Sequence, residues 1–327
     1  MIVNKMKATA VAPANIAFIK YWGKRDVGPN IPLNNSISMN LDCAQTTTTV
    51  EFDPAMKLDQ VTISGQAAGK TETERVSRHL DLFRKLGKIN HAAKVESTNN
   101  FPKGAGIASS ASGFAALSLA AASAAGLKFT QKQLSVLARQ GSGSACRSVP
   151  DGFVEWAAGD SSESSFARSI FSPDYWNICD VIVIVSHQQK KISSTEGHKL
   201  ARSSPFFDTR IKGMEKKVAE IKKAMRKKDF SSFGEIIEAE AINMHAVMMT
   251  SVPPLYYWSP ETLEIIKSVI EWRESGLEAY FTIDAGPNVH IICQGKDKSR
   301  VVRKLKTLRS VIEQIIIAKP GKGARLI

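Results

Sequence analysis

The chain has 327 residues and a net charge of +13, with 43% hydrophobic and 23% charged residues. This length predicts two domains of roughly 150 residues each, and the composition is ordinary for a globular protein and excludes extended disorder. No apolar run approaches the roughly 20 residues that cross a bilayer, and the opening stretch MIVNKMKATAVAPAN lacks the apolar core of a secretion signal. We therefore expect a cytoplasmic protein with no membrane partner.

The excess of positive charge fits either a polyanion such as nucleic acid or a small phosphorylated substrate in a basic cleft. Much of it lies at 212–228 and 296–309, and apolar residues recur at helical spacing beneath the lysines of the first stretch. No aromatic residue interleaves with these lysines, as a platform for stacking bases would require. We interpret both stretches as solvated faces of amphipathic helices and expect no nucleic-acid partner.

The cysteine pattern indicates no special chemistry. Cys43, Cys146, Cys179 and Cys293 contain no C-x-x-C pair, so the sequence predicts neither a zinc site nor a disulfide framework. Because unpaired cysteines behave as small hydrophobic residues, we expect all four to be packing residues.

Strand and helix patterns alternate along the chain. Runs of β-branched and apolar residues predict strands at 45–52, 61–65, 94–98, 152–159, 180–186 and 279–283. Apolar periodicity predicts helices at 71–86, 130–140, 212–228, 233–249 and 261–274, and a Gly-rich turn opens a further Ala-rich helix. Small layered units of this kind are typical of an α+β or α/β protein. The strand at 180–186 predicts a second domain, so we divide the chain into 1–180 and 181–327.

The Gly-rich turn PKGAGIASSA, residues 102–111, is a candidate phosphate loop. Gly104 and Gly106 precede a helix N-terminus, where backbone N–H groups and the helix dipole attract phosphate oxygens. Ser109 and Ser110 add hydroxyls for a phosphate or a metal. The turn matches neither a Walker A loop nor the dinucleotide-binding fingerprint, so by itself it is equally compatible with an ordinary loop.

Two further stretches carry anion-binding chemistry. GSGSACRS, residues 141–148, combines available backbone amides with Arg147, which fits either an anion clamp or a helix end at Gly141 followed by a surface arginine. In NIAFIKYWGKRD, residues 15–26, Lys20 lies among apolar and aromatic residues, which is unfavourable unless an anion meets it. The alternative for this lysine is a surface position with an apolar stem.

The stretch FTIDAGPNVH places the carboxylate of Asp284 between an apolar strand and a tight turn, with no basic residue within several positions. A lone aspartate in such a turn is by default a capping residue. A fixed carboxylate at the end of a rigid strand is also what general-base or electrostatic catalysis requires.

Taken together, five stretches closely resemble the ordered motif set of mevalonate diphosphate decarboxylases in the GHMP kinase superfamily. They are NIAFIKYWGKRD, IPLNNSISMNL, NNFPKGAGIASSASG, ARQGSGSACRS with GFVEW, and FTIDAGPN. The resemblance implies an α+β GHMP kinase fold, with a ribosomal-S5-like N-terminal domain that has a left-handed βαβ unit and a ferredoxin-like C-terminal domain. It also implies an active site between the domains and, by analogy with many members, a homodimer.

The resemblance implies a decarboxylase of isoprenoid biosynthesis that acts on mevalonate carrying one or two phosphates at C5. Members phosphorylate the C3 hydroxyl with ATP and Mg²⁺, then eliminate phosphate and CO2 to leave isopentenyl phosphate or diphosphate. In this reading Asp284 lies at the C3 hydroxyl, Lys20 holds the C3 oxygen or bridges it to Asp284, and Arg147 orients the C1 carboxylate with support from Asn15.

The same resemblance implies two binding regions. The 5-phosphate tail would be bound by Tyr21, Lys24, Ser142, Gly143 and Ser144, together with Ser194, Thr195 and His198. The ATP phosphates would be bound by Pro102, Gly104, Ala105, Gly106, Ala108, Ser109 and Ser110, with Ser109 as a candidate Mg²⁺ ligand. We interpret His245 and Glu155 as packing residues.

Two positions depart from the family pattern. Several bacterial members have arginine where this chain has Thr195, and methionine is usual where it has His198. Losing a forked cation weakens recognition of a diphosphate more than of a monophosphate, so the number of phosphates at C5 stays open.

Three alternatives also remain at this point. One related branch decarboxylates mevalonate 3,5-bisphosphate without ATP, although the intact glycine loop favours ATP use. A second alternative is a GHMP small-molecule kinase that does not decarboxylate, which the presence of Lys20, Arg147 and Asp284 makes the weaker hypothesis. The third is a nucleic-acid or scaffolding protein that uses the basic helices.

Overall fold

The computed structural model describes residues 6–26, 28–101, 109–186 and 192–327. The first half contains β1 (Lys7–Ile19), β2 (Lys24–Asp26), β3 (Ile31–Pro32), β4 (Ser36–Asp53), β5 (Gln60–Ile63), β6 (Gln66–Ala67), α1 (Lys70–Gly87), β7 (Ala92–Asn99), α2 (Ser109–Ala124), α3 (Gln131–Gly141), β8 (Phe153–Trp156) and β9 (Ala167–Phe171). A 3-10 helix, Gly143–Ser148, follows α3 directly.

The second half contains β10 (Ile178–Ile184), α4 (Ser194–Leu200), α5 (Phe207–Lys227), α6 (Phe230–Met249), α7 (Pro260–Glu274), β11 (Ala279–Thr282), β12 (Val289–Gln294), α8 (Lys298–Leu305), β13 (Gln314–Ala318) and β14 (Arg325–Leu326). Each strand and helix that the sequence predicted in the described residues is present, and the α+β class is confirmed.

The first sheet is organised around the long central strand β4. Its order is β14-β1-β4-β7-β5-β6, with β8 and β9 branching from β4. β4 pairs with β1 over most of its length, and the register shifts between Pro13 and Asn15 and again between Ala17 and Ile19. The pairing of β1 ends at Ile19, so the residues that follow leave the sheet and enter the space between the two halves.

Helix α2 covers one face of this sheet, where it contacts β1 and β4. Its alanine and serine side chains are largely buried, and their small size allows the helix backbone to approach the strands closely. This packing places the N-terminus of α2 above the strands that border the candidate nucleotide region.

The second sheet is antiparallel, in the order β11-β12-β10-β13. One face packs on α7 and α8, and the other packs on α5, α6 and residues of β1 and β4. The two halves of the chain therefore share an apolar core, which fixes the position of α6 relative to the end of β1.

Two composition-based predictions are confirmed. Cys146, Cys179 and Cys293 are buried, Cys43 is partly buried, and none of them forms a disulfide. The lysine-rich stretch at 212–228 lies mostly in α5, whose apolar stripe is buried in the shared core. Within the described part of the chain, no helix is long and apolar enough to cross a membrane.

Candidate active site

A cavity of about 690 Å³ in the described residues lies between the end of β1, helix α1, the 3-10 helix and α4. It brings together most of the residues that the sequence singled out: Lys20, Tyr21, Lys24, Ser110, Ser142, Gly143, Ser144, Arg147, Ser194, Thr195, His198 and Asp284. Pro102, Gly104, Ala105, Gly106 and Ala108 lie outside the described residues.

Lys20 and Asp284 form an ion pair at the base of this cavity. Lys20 Nζ lies 2.7 Å from Asp284 Oδ1 and donates a second hydrogen bond, 2.6 Å long, to the carbonyl oxygen of Ala17. Only 2% of the lysine side chain is exposed, which rules out the surface position, whereas 27% of the aspartate side chain stays open to the cavity. The carboxylate is thus accessible to a substrate while its cation is fixed behind it.

The electrostatics of this pair favour an ionised carboxylate. Burial lowers the pKa of Lys20, and Asp284 offsets this only in part. Burial also opposes the charged form of Asp284, but the Lys20 ammonium outweighs it and holds the pKa of this carboxyl below its usual range. At neutral pH Asp284 can therefore accept a hydrogen bond from a substrate hydroxyl.

Arg147 is a buried cation held by neutral groups. Its Nε donates to Asn15 Oδ1 and its Nη1 donates to Ser36 Oγ, both at 3.0 Å, while Asn15 Nδ2 donates to Ser148 Oγ at 2.8 Å. The ion pairs of the described residues include none to Arg147, which is 4% exposed, so the surface-arginine alternative is wrong. A buried guanidinium without a carboxylate partner is poised to bind an anionic ligand.

Tyr21 and His198 form a closely packed wall of the cavity. The Tyr21 ring stacks on the imidazole of His198 at 4.4 Å and meets the edge of Trp156 at 4.7 Å. His198 Nδ1 accepts a 2.9 Å hydrogen bond from the backbone N–H of Gly23. Burial lowers the pKa of His198 to about 3, so this side chain is neutral at pH 7 and supplies no charge to a phosphate.

Cations gather at the far end of the cavity. Lys24 Nζ donates to Asn30 Oδ1 at 2.6 Å, and burial, Arg75 and Lys199 all lower the pKa of Lys24. Arg75 and Arg78 of α1 also line this end. Three cations at one end of the cavity, Lys24, Arg75 and Arg78, indicate a site for a multiply charged anion.

Sequence reasoning missed Arg75 and Arg78. Arg75 Nη2 donates to the carbonyl oxygen of Gly141 at 2.9 Å, and its guanidinium lies 4.4 Å from the centre of the Phe114 ring. In the sequence these are two arginines three positions apart on one predicted helix. Such a pattern is equally typical of a solvated helix face, and only the packing of α1 distinguishes the two.

A second cavity, of about 320 Å³, adjoins the first. Its walls include Val61, Ile63, Val95, Phe114 and Leu117, with polar groups from Thr46, Thr48, Ser97, Asn99, Ser109 and Ser110. A cavity with both apolar walls and polar groups, Glu72 and Arg75 among them, suits a nucleotide base, and Ser109 and Ser110 at the start of α2 lie where a helix dipole favours phosphate. The residues present therefore fit ATP. In the described residues, no group of three His, Cys, Asp or Glu side chains could hold a metal ion.

A two-part α+β fold with a basic cavity between its halves and a smaller slot at the start of α2 defines a small-molecule enzyme of the GHMP kinase superfamily. Residues 12–167 match the family model for the diphosphomevalonate decarboxylase-like N-terminal domain. Residues 180–325 match the model for the mevalonate 5-diphosphate decarboxylase C-terminal domain. The chain belongs to the diphosphomevalonate decarboxylase family.

Curated relatives and solved structures agree with this assignment. The diphosphomevalonate decarboxylase of Ganoderma lucidum is 37% identical over 310 residues, which cover 87% of this chain and 78% of the relative. The mevalonate diphosphate decarboxylase of Enterococcus faecalis superposes with a TM-score of 0.93 at 39% identity, over 99% of both chains. A complex of the protein called MDDEF with MVAPP, AMPPCP and magnesium gives a TM-score of 0.94 at 38% identity, over 99% of both chains.

Proposed function

We propose that this protein is an ATP-dependent decarboxylase that converts mevalonate 5-diphosphate and ATP into isopentenyl diphosphate, ADP, phosphate and CO2. The observation that carries the proposal is the carboxylate of Asp284, which is accessible from the cavity and paired with buried Lys20. The same cavity contains Arg147, a buried cation with no acidic partner in the described residues. These three groups match the parts of such a substrate that change during the reaction: Asp284 the proton of the C3 hydroxyl, Lys20 the C3 oxygen and Arg147 the C1 carboxylate.

In the first step the C3 hydroxyl donates a hydrogen bond to Asp284, which accepts the proton as the hydroxyl oxygen bonds to the γ-phosphorus of ATP; the bond from that phosphorus to the β,γ-bridging oxygen breaks and ADP leaves. Lys20 is aimed at the same oxygen and stabilises the negative charge that develops there. Arg147 forms a forked pair with the C1 carboxylate and fixes the rotation of the substrate about the C2–C3 bond.

In the second step the C3–O bond breaks and its electron pair leaves with the phosphate. The electron pair of the C1–C2 bond then forms the C2=C3 double bond, and C1 departs as CO2. Asp284 passes the proton it accepted to an oxygen of the new 3-phosphate, and its regenerated carboxylate remains beside C3, where it stabilises the positive charge that develops as phosphate leaves.

The phosphate tail of the substrate would bind at the cationic end of the cavity. We assign it Tyr21, Lys24, Ser142, Gly143, Ser144, Ser194, Thr195 and His198, and add Arg75 and Arg78. ATP would occupy the second cavity with its phosphates at 102–110, and Mg²⁺ bound to those phosphates, with Ser109 as a candidate ligand, would offset their charge.

A second candidate substrate is mevalonate 5-phosphate. Thr195 lines the main cavity with an uncharged side chain, and His198 is neutral, so neither of these two α4 residues adds a cation that would select a second phosphate. The arginines of α1 favour the diphosphate instead, because they add two forked cations at the same end of the cavity.

The test is CO2 release by the purified protein offered mevalonate 5-phosphate, 5-diphosphate and 3,5-bisphosphate, each with and without Mg-ATP. We expect release only with ATP and fastest from the 5-diphosphate. Release from the bisphosphate without ATP, and from neither of the others, would replace this proposal by the ATP-independent reaction. Phosphorylation at C3 without CO2 would identify a kinase.

Three further properties stay predictions. We propose that the chain divides into domains at 1–180 and 181–327, close to the boundary between the two family models. We also propose that the protein is cytoplasmic and forms a homodimer, which fractionation and sedimentation of the full chain would test.

A further inference from the structure

The backbone of Lys20 is bound by two side chains from the second half of the chain. Glu240 of α6 accepts a 3.2 Å hydrogen bond from the Lys20 N–H through its Oε1 atom. Arg210 of α5 donates a 3.3 Å hydrogen bond from Nη2 to the Lys20 carbonyl oxygen, and the same Nη2 also contacts Glu240 Oε1. Both side chains are completely buried.

These contacts lie just beyond the end of β1, where the backbone hydrogen bonds between β1 and β4 have ended. The ladder between β1 and β4 ends at Ile19, so in the part of the chain that the structure describes no strand partner binds the peptide groups of Lys20. Glu240 takes its N–H, while Arg210 and Asn34 share its carbonyl oxygen. The buried ion pair therefore supplies the backbone hydrogen bonds that a neighbouring strand would otherwise provide, and it does so at Lys20, the residue whose ammonium pairs with Asp284.

Helix α6 also holds the other member of the pair. Glu238 Oε1 accepts a 3.0 Å hydrogen bond from the N–H of Phe281, in the strand that leads to Asp284. His245 Nε2 lies 3.1 Å from the carbonyl oxygen of Asp284 itself. One helix thus contacts the backbone on both sides of the Lys20–Asp284 ion pair.

A purely structural role explains this arrangement poorly. Burying a charged pair costs so much desolvation that well-packed apolar residues of similar size are often equally stabilising. Here the pair also leaves Arg210 Nε without a partner in the described residues, a further cost that packing alone would avoid. What only a polar pair can provide is directional binding of the N–H and C=O of Lys20.

We propose that Glu240 and Arg210 are positioning residues that fix the backbone of Lys20 and thereby align its ammonium with Asp284 and the C3 oxygen of the substrate. The inference rests on the proposed function, because it assigns Lys20 to the reacting oxygen. A displacement of the ammonium by a fraction of an ångström would weaken the interaction in the transition state more than in the bound ground state.

The decisive variant is Arg210→Met combined with Glu240→Leu. It removes both charges together, so no unpaired charge is buried, and it keeps apolar volume between α5 and α6. Lys217, which also binds Glu240, is partly exposed and can turn to solvent. We expect a melting temperature close to the wild-type value, kcat lowered roughly tenfold or more, and KM for both substrates within about twofold.

The matched control is Glu155→Gln with Lys222→Met. This pair also joins the two halves, because Lys222 Nζ of α5 lies 3.0 Å from both carboxylate oxygens of Glu155 in β8, but neither residue lines the main cavity. Its kcat should equal the wild-type value. Wild-type kcat in the Arg210/Glu240 double variant would overturn the proposal.

The single variant Glu240→Gln provides an independent test if the double variant does not fold. It retains an acceptor oxygen for the Lys20 N–H but loses the charge that raises the pKa of Lys20 against burial. The charged and titratable groups that face Lys20 are Asp284, Glu240, Arg147, Arg210 and His245. We expect a smaller loss of kcat than in the double variant and an alkaline limb of the pH profile at lower pH. An unchanged limb would contradict the proposal.

A readout that needs no activity separates this inference from the proposed function. Acetylation of Lys20 by acetic anhydride, followed by mass spectrometry, reports how firmly the buried ammonium is held. In the double variant we expect acetylation several times faster than in the wild type, and no change in the control. If acetylation is faster in the double variant but the wild-type protein releases no CO2, the proposed decarboxylase function is rejected and the positioning role of Glu240 and Arg210 is retained. If acetylation is unchanged in the double variant and the wild-type protein releases CO2, the positioning role is rejected and the decarboxylase function is retained.

Discussion

A methyl group at Gly143 would clash with the phenolic oxygen of Tyr21. The ring cannot easily retreat, because His198 stacks on one face and Trp156 meets it edge-on. The absence of a side chain at Gly143 therefore sets the position of the Tyr21 hydroxyl at the cavity wall. The contact explains why position 143 of the GSGSACRS stretch requires glycine, and this explanation is steric and does not depend on the backbone angles.

Gly143→Ala should raise KM for the mevalonate substrate roughly tenfold or more, because the Tyr21 hydroxyl must move out of the phosphate-binding end of the cavity. The measurement is steady-state kinetics with saturating Mg-ATP. Gly213→Ala is the control, since a Cβ there meets nothing within 4 Å and α5 should gain about 0.5–1 kcal/mol. A normal KM in Gly143→Ala would mean that Tyr21 does not contact the substrate.

Asp284→Asn should lower CO2 release by at least roughly 10²-fold, because the amide can neither accept the hydroxyl proton nor stabilise positive charge at C3. Asparagine keeps the shape of the side chain and an acceptor oxygen for Lys20, but it removes the carboxylate beside a buried ammonium, so the melting temperature should fall. Asp160→Asn provides the control, since the Asp160 side chain is fully exposed and its ion pair with Arg25 lies at the surface. Release of ¹⁴CO2 from labelled substrate measures the effect, and a wild-type rate would remove Asp284 from the mechanism.

Arg75 and Arg78 should differ in their effects. Arg75 borders both cavities, whereas Arg78 borders only the larger one. Arg75→Met should therefore raise KM for both ATP and the mevalonate substrate, each roughly tenfold, while Arg78→Met should raise only the second. Titrating each substrate at saturating concentrations of the other distinguishes the two. Equal effects of both variants on ATP would show that the cavities do not correspond to separate substrates.

The sequence predicted much of the fold because the signals are local. Apolar periodicity and β-branched runs placed α1, α6 and β10, and the burial of Met214, Val218, Ile221 and Met225 followed from their spacing. β4 was predicted only in its second half, since the first half, SISMNL, lacks the β-branched run and is held by pairing with both β1 and β8.

The candidate site was less accessible to sequence reasoning. Motif residues such as Lys20, Arg147 and Asp284 were found through resemblance, and the structure brings them into one cavity. Glu240 and Arg210 carry no motif: each lies in an ordinary amphipathic helix, 30 residues from the other, and their contact with Lys20 exists only after the two halves pack together. Non-local contacts of this kind leave no signal in a single sequence.

Three buried histidines give the protein a characteristic response to acid. Burial lowers the pKa of His79, His198 and His245 to about 3. In the unfolded chain a histidine takes up a proton near its ordinary pKa of about 6.5. The unfolded state therefore binds more protons between these two values. The contribution of each histidine to stability is complete above pH 6.5 and is lost progressively as the pH falls towards 3.

Lowering the pH from 7.5 to 5.5 should thus reduce the free energy of unfolding by about 1.4 kcal/mol for each of these histidines. Urea unfolding at the two pH values measures the loss. His79→Gln, which can still bind Ser118 in place of the present 2.8 Å contact, should recover about a third of the combined histidine effect. Because glutamine does not titrate, a loss as large as in the wild type would show that His79 is already protonated in the folded protein or stays neutral in the unfolded one.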